Sequence, residues 1–402
     1  MTQFDPSTPL ILLGGRENAV AVARNLGRRG VHITACGLNG ARSVNSKYCN
    51  EAIRIPDGVD AATYWKILLL EDKAAEFKGR MVLPFCDESL AFIENNHAAL
   101  AELYILEEFD PAQRRIMLDK QATLSAARAV NVPTPSFWTI ETDDDVEKIR
   151  DEISFPVMVK PLDSYAFVHE FGTKLFIVKD DFEEVVEKVG LARSRGHDVM
   201  VVEMIPGPDD LLSSYYTYRT KEGVRLFDYT KSIIRRWPKN RGGATFHQSE
   251  WRPETAEMGQ RLFDGIDWQG IANVEFKRDT RDGQLKIIEV NARFTAAHRL
   301  VTEAGAPIDE IIYCHLTGQP VPSFTAYSDK LRMWIPTRDF FAFLELRNLK
   351  QLTTFGWIGG LFQQKLVLPY FSWSDPGPML AETGSNIARG LKKIRDRLSG
   401  AD

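Results

Sequence analysis

The sequence predicts a mixed α/β and α+β protein, with a parallel sheet at the N-terminus, a two-lobed α+β body and a C-terminal extension. Three observations predict it. PLILLGGRENAVAVARNLGRRGVHITACG (9–37) spells strand, glycine turn, amphipathic helix and strand, a βαβ unit that implies a parallel sheet with a right-handed crossover. From Asp119 the order becomes β-loop-β-α-β over about eighty residues, the pattern of a small α+β lobe. LKIIEVNARF (285–294) alternates, with Glu289, Asn291 and Arg293 on one face of a strand and Ile288, Val290 and Ala292 on the other.

Bulk properties narrow the function. A chain of 402 residues, 44% hydrophobic, is long enough for two or three domains with their own cores. A net charge of −5 gives no general electrostatic reason to bind nucleic acid or anionic membranes. The cysteines at 36, 49, 86 and 314 have no CxxC or CxxH spacing, so neither a disulfide framework nor a zinc site is indicated, and a reducing cytoplasmic setting fits. The first apolar run is too short for a signal peptide or a transmembrane segment.

Residues 1–118 read as the parallel α/β domain. Its first helix runs from about Glu17 to Arg29 and stops at Gly30; MVLPFCD is a further strand, and LYILEEFD closes the region. The small lobe, 119–202, holds the helix LDKQATLSAARAV, the strands FPVMVKP and KLFIV, the helix DFEEVVEKVGLARSRG and the strand VMVVEMI. The large lobe, 203–325, contains a hairpin through KEG and a second hairpin, IANVEFKRDTRDGQLKIIEVNARF. Residues 326–402 form a Trp- and Phe-rich, mainly helical extension ending in a basic amphipathic helix.

In the second hairpin, a three-residue Arg281-Asp282-Gly283 loop sets Glu275 opposite Glu289, Asn273 opposite Asn291 and Lys277 opposite Ile287. A two-residue turn would slip the register and scatter the carboxylates. Opposed Cβ atoms lie ~4.5–5.5 Å apart, where two carboxylates repel unless a cation lies between them. Magnesium suits: it takes oxygen ligands, keeps waters and is held by one or two carboxylates plus phosphates. Glu275, Glu289 and Asn291 are therefore the candidate metal ligands, and Arg293 can neutralise a phosphate oxygen. Taken alone, the hairpin fits an exposed polar face better than a metal site.

Five segments in order change that balance: DK at 119–120, VMVKP at 157–161, VVEMIPGPD at 201–209, NVEF at 273–276 and IIEVNARF at 287–294. Together they resemble the ATP-grasp superfamily of ligases, of the carboxylate–amine type, over about residues 1–320. The resemblance implies an ATP-grasp fold preceded by a pre-ATP-grasp domain, and ATP with one or two Mg²⁺, Mn²⁺ being a substitute. It places Lys120 and Lys160 on ATP phosphates, Glu203, Met204 and Ile205 at adenine, and Asp209, or Asp210, at the ribose. Glu275, Glu289 and Asn291 hold the metal, Arg293 steadies the transferred phosphoryl group, and Lys231 reaches the γ-phosphate.

One departure concerns the lid. The segment LDSYAFVHEFGTK (162–174) has Gly172 as its only glycine, where such enzymes use a glycine-rich loop, so His169 and Lys174 are candidates to replace backbone donors. GGREN (14–18) lacks the full GxGxxG, which argues against a dinucleotide cofactor. Arg16, Glu17 and Asn18 gather at a helix N-terminus suited to a carboxylate, with Asp87 and Glu88 lining the same cleft.

KSIIRRWPKNRGGATFHQSEW (231–251) reads as a mobile substrate loop bearing Arg235, Arg236, Arg241 and His247, with Arg235 a catalytic candidate; a solvated basic turn reads equally well. His298 reads as structural ahead of facing the same pocket, and the tail as packing on the body ahead of touching a membrane, with a homodimer contact as a further reading. The expected activity joins a small-molecule carboxylate to an amine through an acyl-phosphate and releases ADP. A thiol or hydroxyl acceptor, or a non-catalytic nucleotide-binding protein, are the alternatives.

Overall fold

The computed structural model describes residues 4–398, apart from 143 and 163, and three sheets carry the chain. The first comprises β1 (Leu10–Leu13), β2 (Ile33–Gly37), β3 (Glu51–Arg54), β4 (Met81–Pro84) and β5 (Ile105–Leu106), in the parallel order β3-β2-β1-β4-β5. Both faces of β1 are covered, which is why it reads as a continuous apolar run. The helix Glu17–Arg28 follows, and Gly30, at φ +97°, takes the chain out of it.

Strand order reverses between β1 and β4. At that point the turn after β1 passes so close to the end of β4 that a Cβ on Gly14 would sit 2.5 Å from Cys86 Sγ, and one on Gly15 2.4 Å from Phe85 Cβ. Both glycines also have positive φ. The pair is required by backbone geometry, with no nucleotide fingerprint involved.

The small sheet contains β6 (Phe137–Ile140), β7 (Val157–Pro161), β8 (Phe176–Val178) and β9 (Val199–Glu203), in the antiparallel order β6-β9-β7-β8. Segment 162–174, expected as a lid loop, instead contains the helix Ser164–Phe171. Phe167 and Phe171, spaced i,i+4, stack on each other and on Phe176 and His197, and Phe167 is fully buried. Gly172 lies in the left-handed region and ends the helix. Asp163 of this segment lies outside the described residues, as do the side chains of Ser164 and Tyr165.

The large sheet gathers β10 (Leu212–Arg219), β11 (Arg225–Trp237), β12 (Gly243–Ser249), β13 (Gly270–Arg278), β14 (Leu285–Asn291), β15 (Leu331–Trp334) and β16 (Lys365–Val367), in the order β14-β13-β10-β11-β12-β15-β16. One face packs Tyr215, Ala272, Val274 and Phe276 against the helices Pro253–Gly265 and Lys120–Ala129. On the other, Tyr216, Tyr218, Phe227 and Tyr229 meet Leu10, Leu12, Val22 and Phe294 in a core shared with the first sheet.

One expectation is corrected here. Residues 231–251 are mostly paired strand, β11 against β12, and only the turn 238–242 joins them. Among the described residues the extension holds three helices, and its two short strands, β15 and β16, continue the large sheet.

Candidate active site

Strand pairing lines up a row of polar side chains across the large sheet. Glu289 on β14 is opposite Glu275 on β13; Glu275 is opposite Ser214 on β10, and Ser214 opposite Lys231 on β11. One level along, Asn291, Asn273 and Tyr216 repeat the row. The expected Glu275–Glu289 and Asn273–Asn291 pairs are thus observed. The turn is not as expected: Asp279 N–H bonds Gln284 C=O across a four-residue loop, and a bulge at Ile288 restores the register. Lys277 consequently pairs with Lys286, not Ile287.

The row is electrostatically tense. Burial, and then the neighbouring Glu289 carboxylate, push the Glu275 carboxyl above the ordinary glutamate range, against the pull of Lys231, Arg236 and Arg293. Burial pulls Lys231 down, opposed by Glu275, and pulls Lys160 down, opposed by Glu289. Lys160 stands near the end of β7 in the small sheet, and the charge that acts on it is Glu289 of β14 in the large sheet. Lys120 joins it there: its Nζ donates to the carbonyls of Pro161 and Leu162, at 2.6 and 2.9 Å. Asp119 caps the helix that begins at Lys120, accepting from the Gln121 and Ala122 N–H groups.

Asn291 Nδ2 lies 3.4 Å from Glu289 Oε1, and Arg293 Nε donates to Asp87 Oδ1 at 2.6 Å. Asp87 follows β4, so the first domain reaches the same cleft. Among the described residues no group of three or more His, Cys, Asp or Glu side chains could close around a metal alone. The Glu275–Glu289 pair with the Asn291 amide is a partial oxygen shell, which fits a hard cation completed by phosphate and water.

At the hinge, Glu203 is buried, with Oε2 near the Ser136 N–H at 3.4 Å and Arg281 Nη2 at 3.5 Å. The Met204 N–H donates to Pro156 C=O. Lys277, whose role the sequence did not disclose, donates to the carbonyls of Ile205 and Gly207 at 3.0 and 2.8 Å; burial, then Arg236, lower it to about 8. Asp209 is buried and bound to Arg236 Nε at 2.7 Å, whereas Asp210 is exposed. Lys174 is exposed in the turn before β8.

Arg235 is corrected. It is buried, and its Nε and Nη2 each donate at 2.8 Å to the two carboxylate oxygens of Asp339, a bidentate pair that also receives Thr245, Trp334 and Trp357. That makes it a fastening for the extension and removes it from the cleft. Arg241 is exposed in the turn, while His247 is buried on β12 with neither ring nitrogen bonded among the described residues. Asn18 is structural, its Nδ2 donating to Phe85 and Phe294 carbonyls. Glu17 accepts from Tyr370, and Arg16 lies 3.4 Å from Glu382, so the extension lies over this helix start. His298, fully buried, lies 3.6 Å from Asp309. Ser214, unread in the sequence, is buried in the middle of the row with its hydroxyl unpartnered among the described residues.

The chain is similar in sequence and fold to known proteins. No protein-family model matches the chain. The chain is 21% identical over 301 residues to the D-aspartate ligase of Enterococcus faecium, spanning 71% of each. The biotin carboxylase–β,γ-ATP complex from Campylobacter jejuni aligns with a TM-score of 0.63 at 15% identity, covering 81% of this chain and 74% of that one. The L-amino acid ligase from Bacillus licheniformis aligns with a TM-score of 0.55 at 19% identity, over 78% and 75%. The chain has the ATP-grasp fold.

Proposed function

We propose that the protein is an ADP-forming ligase that joins a carboxylate to an amine. The observation that carries this reading is the paired carboxylates Glu275 and Glu289, set in register on adjacent strands within a ring of cations, Lys160, Lys231 and Arg293, drawn from three different elements. A pure nucleotide binder has no need of two opposed acids. Glu275, Glu289 and Asn291 would hold one or two Mg²⁺, which would neutralise charge on the β- and γ-phosphate oxygens.

In the proposed reaction, a substrate carboxylate oxygen bonds to the γ-phosphorus as the bond to ADP breaks. The amine nitrogen then bonds to the acyl carbon, inorganic phosphate leaves and the nitrogen loses a proton. Lys120, Lys160 and Lys231 bind phosphate oxygens, and Arg293 steadies the transferred group. With Met204 N–H and Ile205 C=O already bonded, adenine contacts fall to the Glu203 C=O and the Ile205 N–H. With Asp209 bound to Arg236, the ribose falls to Asp210. The acceptor would sit outside the carboxyl ends of β1 and β4, where strand order reverses and such sheets bind ligands. Asp87 and Arg293 meet at that opening.

The test is ADP release from Mg-ATP across a panel of amino acids and dicarboxylates, with hydroxylamine added to trap an acyl-phosphate. Amine-dependent ADP release with hydroxamate formation supports the reading. ADP release without hydroxamate favours a different acceptor, and no ADP release with any member overturns it.

A further inference from the structure

The extension carries an anomaly that the proposed ligase chemistry does not use. The helix Thr354–Leu361, TFGWIGGL, is apolar around its circumference, yet none of its residues is buried. An apolar helix of this kind belongs in a core or in a membrane. Phe355, Ile358 and Phe362 fall at i, i+3 and i+7, one stripe, and are exposed; Phe355 is 90% and Phe362 82% accessible. The neighbouring helix Pro336–Asn348 adds exposed Phe340, Phe341 and Leu344. Ring contacts join the two helices: Phe343 stacks on Trp357 at 4.7 Å, and the half-exposed Phe340 lies 6.2 Å from Trp357. The two helices therefore present one continuous apolar surface.

Its rim is cationic, against the acidic balance of the whole chain. Arg347, Lys350 and Lys365 are exposed around it. Lys239 and Arg241 come from the turn between β11 and β12, which is pinned here by Lys239 Nζ to Gln351 at 2.6 Å and Lys239 N–H to Glu345 at 3.1 Å. Between 336 and 365 the only acids are Asp339, buried under Arg235, and Glu345.

We propose that this face docks onto an anionic lipid bilayer, with Phe355, Ile358 and Phe362 entering the headgroup boundary and the rim cations pairing with lipid phosphates. Charge decides against a second copy of the chain as occupant: a twofold contact would set Arg347 and Lys350 of both copies along one seam. Spanning is excluded by length, since the helix is about 12 Å long, and no helix among the described residues is long and apolar enough to cross a membrane.

The test is co-sedimentation of the full chain with vesicles of phosphatidylglycerol and phosphatidylcholine in equal parts, and with phosphatidylcholine alone. The expected result is binding to the anionic vesicles, at least 10-fold weaker for F355A/F362A and for R347E/K350E, with unchanged Tm in both variants. These positions are exposed, so folding and docking are separable. Absence of vesicle binding by the unmodified chain overturns the proposal. So does binding that ignores both double substitutions, or a vesicle-free dimer that F355A/F362A dissociates in place of any lipid effect.

Discussion

At the scale of single residues, the site rests on a repulsion that is useful only when a cation relieves it. Glu275 and Glu289 face each other across β13 and β14, and Glu275 is held above the usual glutamate range by burial and by that neighbour. A carboxyl with a raised folded pKa binds its proton more tightly when folded. It therefore contributes stability that is full below the unfolded glutamate pKa and is lost as pH rises through the folded value. Thermal unfolding of the metal-free protein should show Tm falling as pH rises from the ordinary glutamate range upward, with E275Q flattening that slope. E275Q or E289Q should lower kcat by about 10²-fold or more, with the fold intact by circular dichroism. These carboxylates were legible in the sequence because alternation and one turn fix the register locally. Lys277 was not, since what it contacts, the carbonyls of Ile205 and Gly207, lies 72 and 70 residues away.

At the scale of elements, the errors share a cause: local irregularities that tertiary packing selects. Lys231 and Arg235 sit on one strand and look equivalent in sequence, but the register slips between Ile233 and Arg235, so Arg235 pairs with Phe246 and turns to Asp339. The segment before β8 was judged by its lack of glycine; the i,i+4 pair Phe167 and Phe171 was the stronger signal, and it makes a helix. Arg235→Ala would leave Asp339 buried without its cation, beside only the Thr245 hydroxyl and two indole donors. The expected cost is about 3–5 kcal/mol of stability, measured by urea unfolding, with the KM for ATP unchanged in the folded fraction. A selective loss of kcat at full stability would return Arg235 to the reaction.

At the scale of the whole molecule, the sequence order implied the sheets, whereas their mutual placement came from contacts between distant residues. Arg24 of the first domain is buried against Asp375 of the extension at 2.8 Å, and Asn18 bonds the carbonyl of Phe294, just past β14. Neither pairing has a local sequence signature. Such ties join the first domain to the proposed active site, and the Arg293–Asp87 bond is where this becomes testable. Arg293 is largely covered; burial disfavours its charge, while the bond and charge of Asp87, with Tyr216 and Glu289, together outweigh this and raise its pKa. Asp87 therefore aims a cation that would otherwise be free to rotate away from the phosphoryl position. Asp87→Asn keeps the shape and removes the charge, so kcat should fall by about 10–100-fold, the range for partners that orient a first-contact group. Nucleotide affinity should hardly change, because Lys120, Lys160 and the hinge remain. Weaker ATP binding with kcat intact would mean instead that the first domain acts on nucleotide entry and leaves the phosphoryl step alone.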